Sequence, residues 1–486
     1  MDHTKHSDGF SELNHDTITT FTGETLKDSV HKSIPTNSSP FNTSEIAEES
    51  HTPPDSPHGH SVSNTELAFY VTKKWGFLYI KAAIAGLLIG VFMTGFKYFS
   101  AKLNELRYMA AEAAAPHCAH WVMCGIMSTV YIIIAGLVAH MAPMAAGSGI
   151  PLVAKSVEHG LKLHSFRTLP AKFVAACLTM GSRTAVGPEG PAIHISGMAA
   201  DIITIIFPTS VHGREAIIAS AAGCGFGCAF DAPAASVLFL LEDMREVTEI
   251  SFQAASCSLL MTYASIFVLH QCLPTTSVFP IPQDLPQPPL NASLIYVFVG
   301  VFGGLIGGYF AYLIQSGVRF WKSRPWWYRY ISQIIMAFYL GALSWKYPYI
   351  VGEGENTVNG LFTPESGVGN GFFILIVRMA HIVISYTLTV LPGGLLAPML
   401  SLGAPTGLLF GLLLHRISPR LAPYPQMICM DGMIAFFSTV VQANLTGIVL
   451  ILELTNYWDG LLRLLFVSFG SFMVAHAIKS KSITAP

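Results

Sequence analysis

The apolar positions of this chain gather into long continuous runs. Residues 76–96, 126–146, 252–269, 294–315, 331–344, 371–391, 403–415 and 461–478 are such runs. A bilayer core of about 30 Å takes about 20 residues of helix to cross, so these segments have spanning or near-spanning length. Between them lie shorter apolar pieces broken by Gly and Pro. Alternating segments of about 10 residues, the mark of a transmembrane barrel, are absent. The pattern predicts an all-α polytopic membrane protein with partial and interrupted helices. Residues 1–66 differ, with Ser, Thr, Asn, Asp, Glu, His and Pro dominating. So few apolar residues cannot build a core, and this stretch reads as a disordered, acidic cytoplasmic tail. A Pro-rich loop over 273–293, where the prolines exclude a helix, divides the rest into a first membrane half, 67–272, and a second, 294–486.

Charge sharpens this picture. Only 12% of the 486 residues are Asp, Glu, Lys or Arg, about half the share of a soluble protein. The tail holds 11 acidic and 3 basic residues, so the body carries about one charge per ten positions. That composition excludes a soluble enzyme, a nucleic-acid binder and a disordered scaffold. No basic segment leads into an apolar one at the N-terminus, so no secretory signal is read there. Eight cysteines are spread along the chain, with Cys224 and Cys228 in a run of small residues. No second pair at zinc-ligand spacing accompanies them, and a tight helix contact accounts for them better. No metal or cofactor is expected.

The strongest internal signal is a repeat. Residues 232–242, ending in Leu-Leu-Glu242, lie without a gap against 443–453, ending in Ile-Leu-Glu453, 211 positions on. Gly86-Leu-Leu-Ile-Gly90 matches Gly303-Gly-Leu-Ile-Gly307, and Gly187-Pro-Glu-Gly-Pro191 precedes Gly393-Gly-Leu-Leu-Ala-Pro398 by a similar offset. Three matches in one order point to duplicated halves, which place a substrate at mid-membrane where interrupted helices meet. Unwound backbone at that depth is tolerated only in protein or beside a cavity.

Three interruptions carry chemistry. Gly147-Ser-Gly-Ile-Pro151 has the composition of a helix start, with Ser148 able to cap and Pro151 suited to the first turn. Gly187-Pro-Glu-Gly-Pro191 is a second start that bears a carboxylate, and 392–398 is a bare-backbone third. Helix N-termini present unpaired N–H groups and partial positive charge. Three that converge would hold an anion without a fixed cation, weakly enough to release it. Glu189, a carboxylate at membrane depth, is a functional candidate by default. Seated in such a site it would mimic the anion; protonated, it would leave. That is a recipe for a proton-coupled gate. No His-Glu-x-x-His motif or Ser/His nucleophile pair supports an intramembrane enzyme. His194, five residues after Glu189, is expected to pack or hydrogen-bond.

These motifs, with Phe230-Asp-Ala-Pro233, Glu242, Leu445-Thr-Gly-Ile448 and Glu453-Leu-Thr455, resemble the CLC family of chloride channels and chloride/proton antiporters over about residues 70–486. The resemblance implies a homodimer of inverted-repeat subunits in a lipid bilayer, moving chloride and protons and binding no nucleic acid. It implies that Ser148, with the turn through Gly149 and Ile150, and the amides of Leu395 and Leu396 coordinate the central anion. Glu189 would be the external gating glutamate and Asp243 the internal proton relay. Lys172 matches a buried lysine that raises the potential near Glu189, or it snorkels to an interface. Several positions depart from the family pattern. Pro188 stands where a basic residue is common, Leu396 where a Phe is usual, and Thr484 where a tyrosine closes the anion site from inside. The absence of CBS domains suggests a prokaryotic inner-membrane type. Proton-coupled chloride exchange is the expected activity. A voltage- or pH-gated channel, or a carrier of fluoride or nitrate, is the alternative.

Overall fold

The computed structural model describes residues 64–482 apart from 116, 244–251, 275–277, 280, 282–293, 364–366, 389–390 and 480–481; of residues 64–75 and 326 it describes the backbone only. The chain divides into Met1–Phe77 and Leu78–Pro486, and the packing below is that of the second unit. Most of the tail assigned to 1–66, most of the loop at 273–293 and Thr484 lie outside the described residues. Residues 64–66 are already helical, so the first helix starts earlier than its apolar run.

Sixteen α-helices are described. The first eight are α1 (Asn64–Ala113), α2 (His120–Met141), α3 (Ile150–Glu158), α4 (Ser165–Gly181), α5 (Glu189–Ile206), α6 (Val211–Phe230), α7 (Pro233–Glu242) and α8 (Phe252–Cys272). The second eight are α9 (Tyr296–Lys322), α10 (Trp326–Lys346), α11 (Glu355–Leu361), α12 (Val368–Leu388), α13 (Leu396–Ile417), α14 (Ile428–Val440), α15 (Asn444–Thr455) and α16 (Leu461–Ala477). Each apolar run has a helix over most of its length. Seven helices among the described residues are long and apolar enough to cross a membrane; the run at 331–344, with Arg329, Gln333 and Lys346 on the same helix, is not among them. The chain is an integral, multi-pass, all-α membrane protein.

The halves meet through equivalent parts. Glu453 at the end of α15 accepts from the N–H groups of Ala234 and Ala235 at the start of α7, both at 2.9 Å. Glu242 at the end of α7 returns the bond to Leu445 and Thr446 at the start of α15, at 3.0 and 2.7 Å, and accepts the Thr446 hydroxyl as well. Helix starts leave N–H groups without intrahelical partners, and here each repeat's glutamate satisfies those of the other. Gly187 and Gly394 likewise exchange a pair of antiparallel N–H···O bonds, both 2.8 Å. Contacts that recur with the two halves exchanged are what a two-fold axis between inverted repeats generates.

Small residues let the helices approach closely enough to build this interior. A Cβ on Gly407 would lie 1.9 Å from the carbonyl oxygen of Ile428, and one on Gly432 would lie 2.0 Å from that of Gly403. The α13–α14 crossing is therefore backbone against backbone, as expected where lipid removes the hydrophobic drive for helix association. In the first half Gly225 meets the backbone of Ala192 and Ile193 in the same way. Cys224 and Cys228 are buried in α6, and the Cys224 sulfur lies 3.1 Å from the Ser265 hydroxyl of α8. The helices around the site are thus almost wholly interior. Helices such as α1, α2 and α9 turn Leu87, Leu137, Phe298 and similar side chains outward.

Candidate functional site

The site is built where three helix starts come together. At α3 the backbone turns through Gly147 (φ 65°) and Gly149 (φ 89°). This is left-handed backbone that glycine adopts without penalty. Gly149 has a second constraint, because a Cβ there would lie 2.4 Å from Nδ1 of His194. The Ile150 N–H donates to the Ser148 hydroxyl oxygen at 3.3 Å, so the hydroxyl proton remains for another acceptor. The first turn of α5 packs on the same loop, since a Cβ on Gly190 would lie 2.8 Å from that of Ser148.

Lys172 of α4 is fully buried and does not snorkel. Its ammonium donates to the carbonyl oxygens of Gly147 at 2.6 Å and Ser148 at 3.2 Å. The lysine therefore holds by its carbonyls the loop that bears Ser148. The second half repeats the device 205 to 206 positions on. Gly352 (φ 72°) and Gly354 (φ 111°) form a Gly-Glu-Gly turn before α11. Arg378 of α12, fully buried, donates to the Gly352 carbonyl at 3.2 Å and to the Ser401 hydroxyl at 2.6 Å. This counterpart is not evident from the sequence alone. The shared G-x-G spacing and the matched offsets of Lys172 and Arg378 were its only signal.

Glu189 opens α5 and is fully buried. One carboxylate oxygen accepts from the Leu396 N–H at the start of α13, at 2.5 Å. The other has no hydrogen-bond partner among the described residues. The carboxylate lies between the paired glycines, and a Cβ on either Gly187 or Gly394 would come within 2.1 Å of one of its oxygens. The glutamate thus occupies the electropositive end of α13, where N–H groups favour negative charge.

Beside it lies a cavity of about 80 Å³ lined by Ser148, Ile150, Leu395, Leu396, Tyr386 and Val441, among others. That is room for a small ion. Ser148, Gly149, Ile150, Lys172, Glu189, Leu395 and Leu396 are therefore brought together. Asp243 is not in this group; it caps the C-terminal end of α7, half-buried, next to Glu242. Thr484 is outside the described residues. Ser482, two positions before it, donates to the carbonyl of Val441 at 2.7 Å, and Val441 is part of the cavity wall. His194 is buried against Gly149, with neither ring nitrogen hydrogen-bonded among the described residues. It packs rather than bonds.

The comparisons with known proteins agree with this architecture. Residues 130–476 match the sequence model of the family described as voltage gated chloride channel. A protein of Salmonella paratyphi A named H(+)/Cl(-) exchange transporter ClcA is 28% identical over 417 residues, 83% of this chain and 86% of its own length. The crystal structure of a slow cyanobacterial Cl-/H+ antiporter is similar with a TM-score of 0.79 and 25% identity, over 84% of this chain and 96% of that one. A eukaryotic CLC transporter shares the fold with a TM-score of 0.70 at 22% identity, over 86% of this chain and 74% of that one. On the extent of the family match and the helix-start geometry together, this chain belongs to the voltage-gated chloride channel, or CLC, family.

Proposed function

We propose that the protein exchanges chloride for protons across a membrane, with Glu189 as the gate. The observation that carries this reading is the buried Glu189 carboxylate seated on the Leu396 amide beside a cavity lined by helix starts. A carboxylate and a chloride compete for the same N–H donor. Protonation weakens the glutamate's hold, because a charged acceptor makes the stronger hydrogen bond. Proton uptake and anion entry then favour the same state, and neither ion completes its passage without the other. The relatives named as H(+)/Cl(-) exchangers favour exchange over passive conduction.

In this reading Ser148, Gly149, Ile150, Leu395 and Leu396 form the anion site, with Thr484 at its inner end. Lys172 supports it indirectly, by fixing the loop that bears Ser148. Asp243 is the inner proton station. The working unit is a homodimer in a lipid bilayer, and the bacterial relatives favour a bacterial inner membrane. The organisation is a tail over 1–66 and two membrane repeats, 67–272 and 294–486, joined through 273–293.

Reconstituted liposomes loaded with chloride test the proposal. Chloride efflux should drive proton uptake that a pH-sensitive dye records; efflux with no proton movement would overturn exchange in favour of conduction. Asp243→Ala should cut proton flux at least tenfold and leave chloride flux within about threefold. Equal loss of both would make Asp243 a structural residue.

A further inference from the structure

Of the residues that line the cavity beside Glu189, two carry a side-chain hydroxyl: Ser148 and Tyr386. The other lining side chains, among them Leu395, Leu396 and Val441, are apolar. Ser148 comes from the loop before α3 in the first repeat, and Tyr386 from the last turn of α12 in the second. An anion that gives up water to enter this space needs hydrogen-bond donors, because a charge without them is far costlier to bury than a polar group. Leu396 contributes a backbone N–H, but in this structure Glu189 already occupies it. The phenol oxygen of Tyr386 also lies within electrostatic reach of the Glu189 carboxylate. Tyr386 thus borders the cavity and lies near the gate.

We propose that Tyr386 is an anion-binding residue, its hydroxyl donating to the ion in the cavity from the second repeat as Ser148 does from the first. The proposal rests on the cavity being the anion site, as put forward above. Tyr386 brings a hydroxyl from a helix that bears none of the glycine-proline motifs, whereas Thr484, the residue at the inner-end position, has a shorter side chain.

Two consequences separate this role from packing. Removing one donor from a small apolar-walled site should weaken chloride binding about tenfold. The loss should also be selective: chloride, strongly hydrated, depends on donors more than thiocyanate, which sheds its water readily. A residue that merely fills space would not discriminate between them in this way.

The test is isothermal titration of the purified full-length protein in detergent with chloride and with thiocyanate, for the native chain, Tyr386→Phe and Tyr386→Leu. Tyr386→Phe keeps the ring and removes only the hydroxyl. Tyr386→Leu provides the reading if Tyr386→Phe does not stay monodisperse. The expected result is chloride affinity about tenfold lower in either variant, with thiocyanate affinity changed less than threefold. Chloride affinity within twofold of the native value, or equal losses for both anions, would overturn the role of Tyr386 alone. Absence of chloride binding by the native protein would instead overturn the anion site itself, and this proposal with it.

Discussion

Replacing Glu189 by glutamine is expected to abolish proton movement while chloride still crosses. The amide keeps the shape and the acceptor oxygen that faces the Leu396 N–H, but it does not titrate at physiological pH. Proton flux in liposomes should fall below detection. Glu189→Ala goes further. It empties the end of α13, where the carboxylate oxygen now lies 2.5 Å from the Leu396 nitrogen, and frees that amide for a second anion. The alanine variant should therefore pass chloride faster than the glutamine variant and bind it more tightly. Persisting chloride-driven proton uptake in either variant would remove Glu189 from the gate. Equal chloride flux in both would mean that the side chain does not occlude the path.

The second large effect concerns stability. Glu242 and Glu453 each satisfy two backbone N–H groups across the repeat boundary, at 2.7 to 3.0 Å. Hydrogen bonds to charged groups contribute about 1.5–3 kcal/mol each, and partial solvent access reduces that figure. Removal of either glutamate should cost about 2–3 kcal/mol. Glu242→Ala and Glu453→Ala are each expected to lower the thermal unfolding midpoint in detergent by several degrees. Glutamine at either position should recover part of the loss, since it keeps one acceptor oxygen. The two losses should not add, because either substitution already loosens the α7–α15 contact. A change below about 0.5 kcal/mol, the range of an ordinary surface substitution, would show that these caps do not join the repeats.

That junction shows where reading the sequence succeeds and where it stops. The match of 232–242 with 443–453 was visible as a gapless similarity, and Glu242 and Glu453 stood at its ends. Their work was not visible, because the partners lie 203 to 219 positions away and only the fold brings them near. The same carboxylate chemistry sits on a helix start at Glu189, where it faces a cavity. Three similar glutamates thus divide into two structural caps and one candidate gate, a division that depends on what lies in front of each.

The long apolar runs located the crossing helices because burial in lipid is written into composition over about 20 residues. Helix ends were less legible. The run at 126–146 overshoots α2, which ends at Met141 just before Pro143. The run at 76–96 undershoots α1, which continues through Lys102, Asn104, Glu105 and Arg107. Arg107 is buried there, donating to the Gly341 carbonyl at 3.2 Å and to Asn104 at 2.8 Å. A charge count would place it at a surface. Lys172 was legible as a lone cation in an apolar stretch, but neither its burial nor its direction was settled there. It faces the carbonyls of Gly147 and Ser148 and so acts on the site through the loop. Tyr386 carried no signal at all, for a tyrosine in an apolar helix has the same pattern whether it faces lipid, core or cavity.

Coupled exchange is the central claim, and the reversal potential of the reconstituted protein tests it most directly. With a chloride gradient and an opposed proton gradient across the same membrane, exchange requires the zero-current voltage to fall between the two equilibrium potentials and to move when either gradient is changed. A reversal potential that follows chloride alone, and stays fixed as the proton gradient is varied, would contradict the account and make the protein a passive anion pathway.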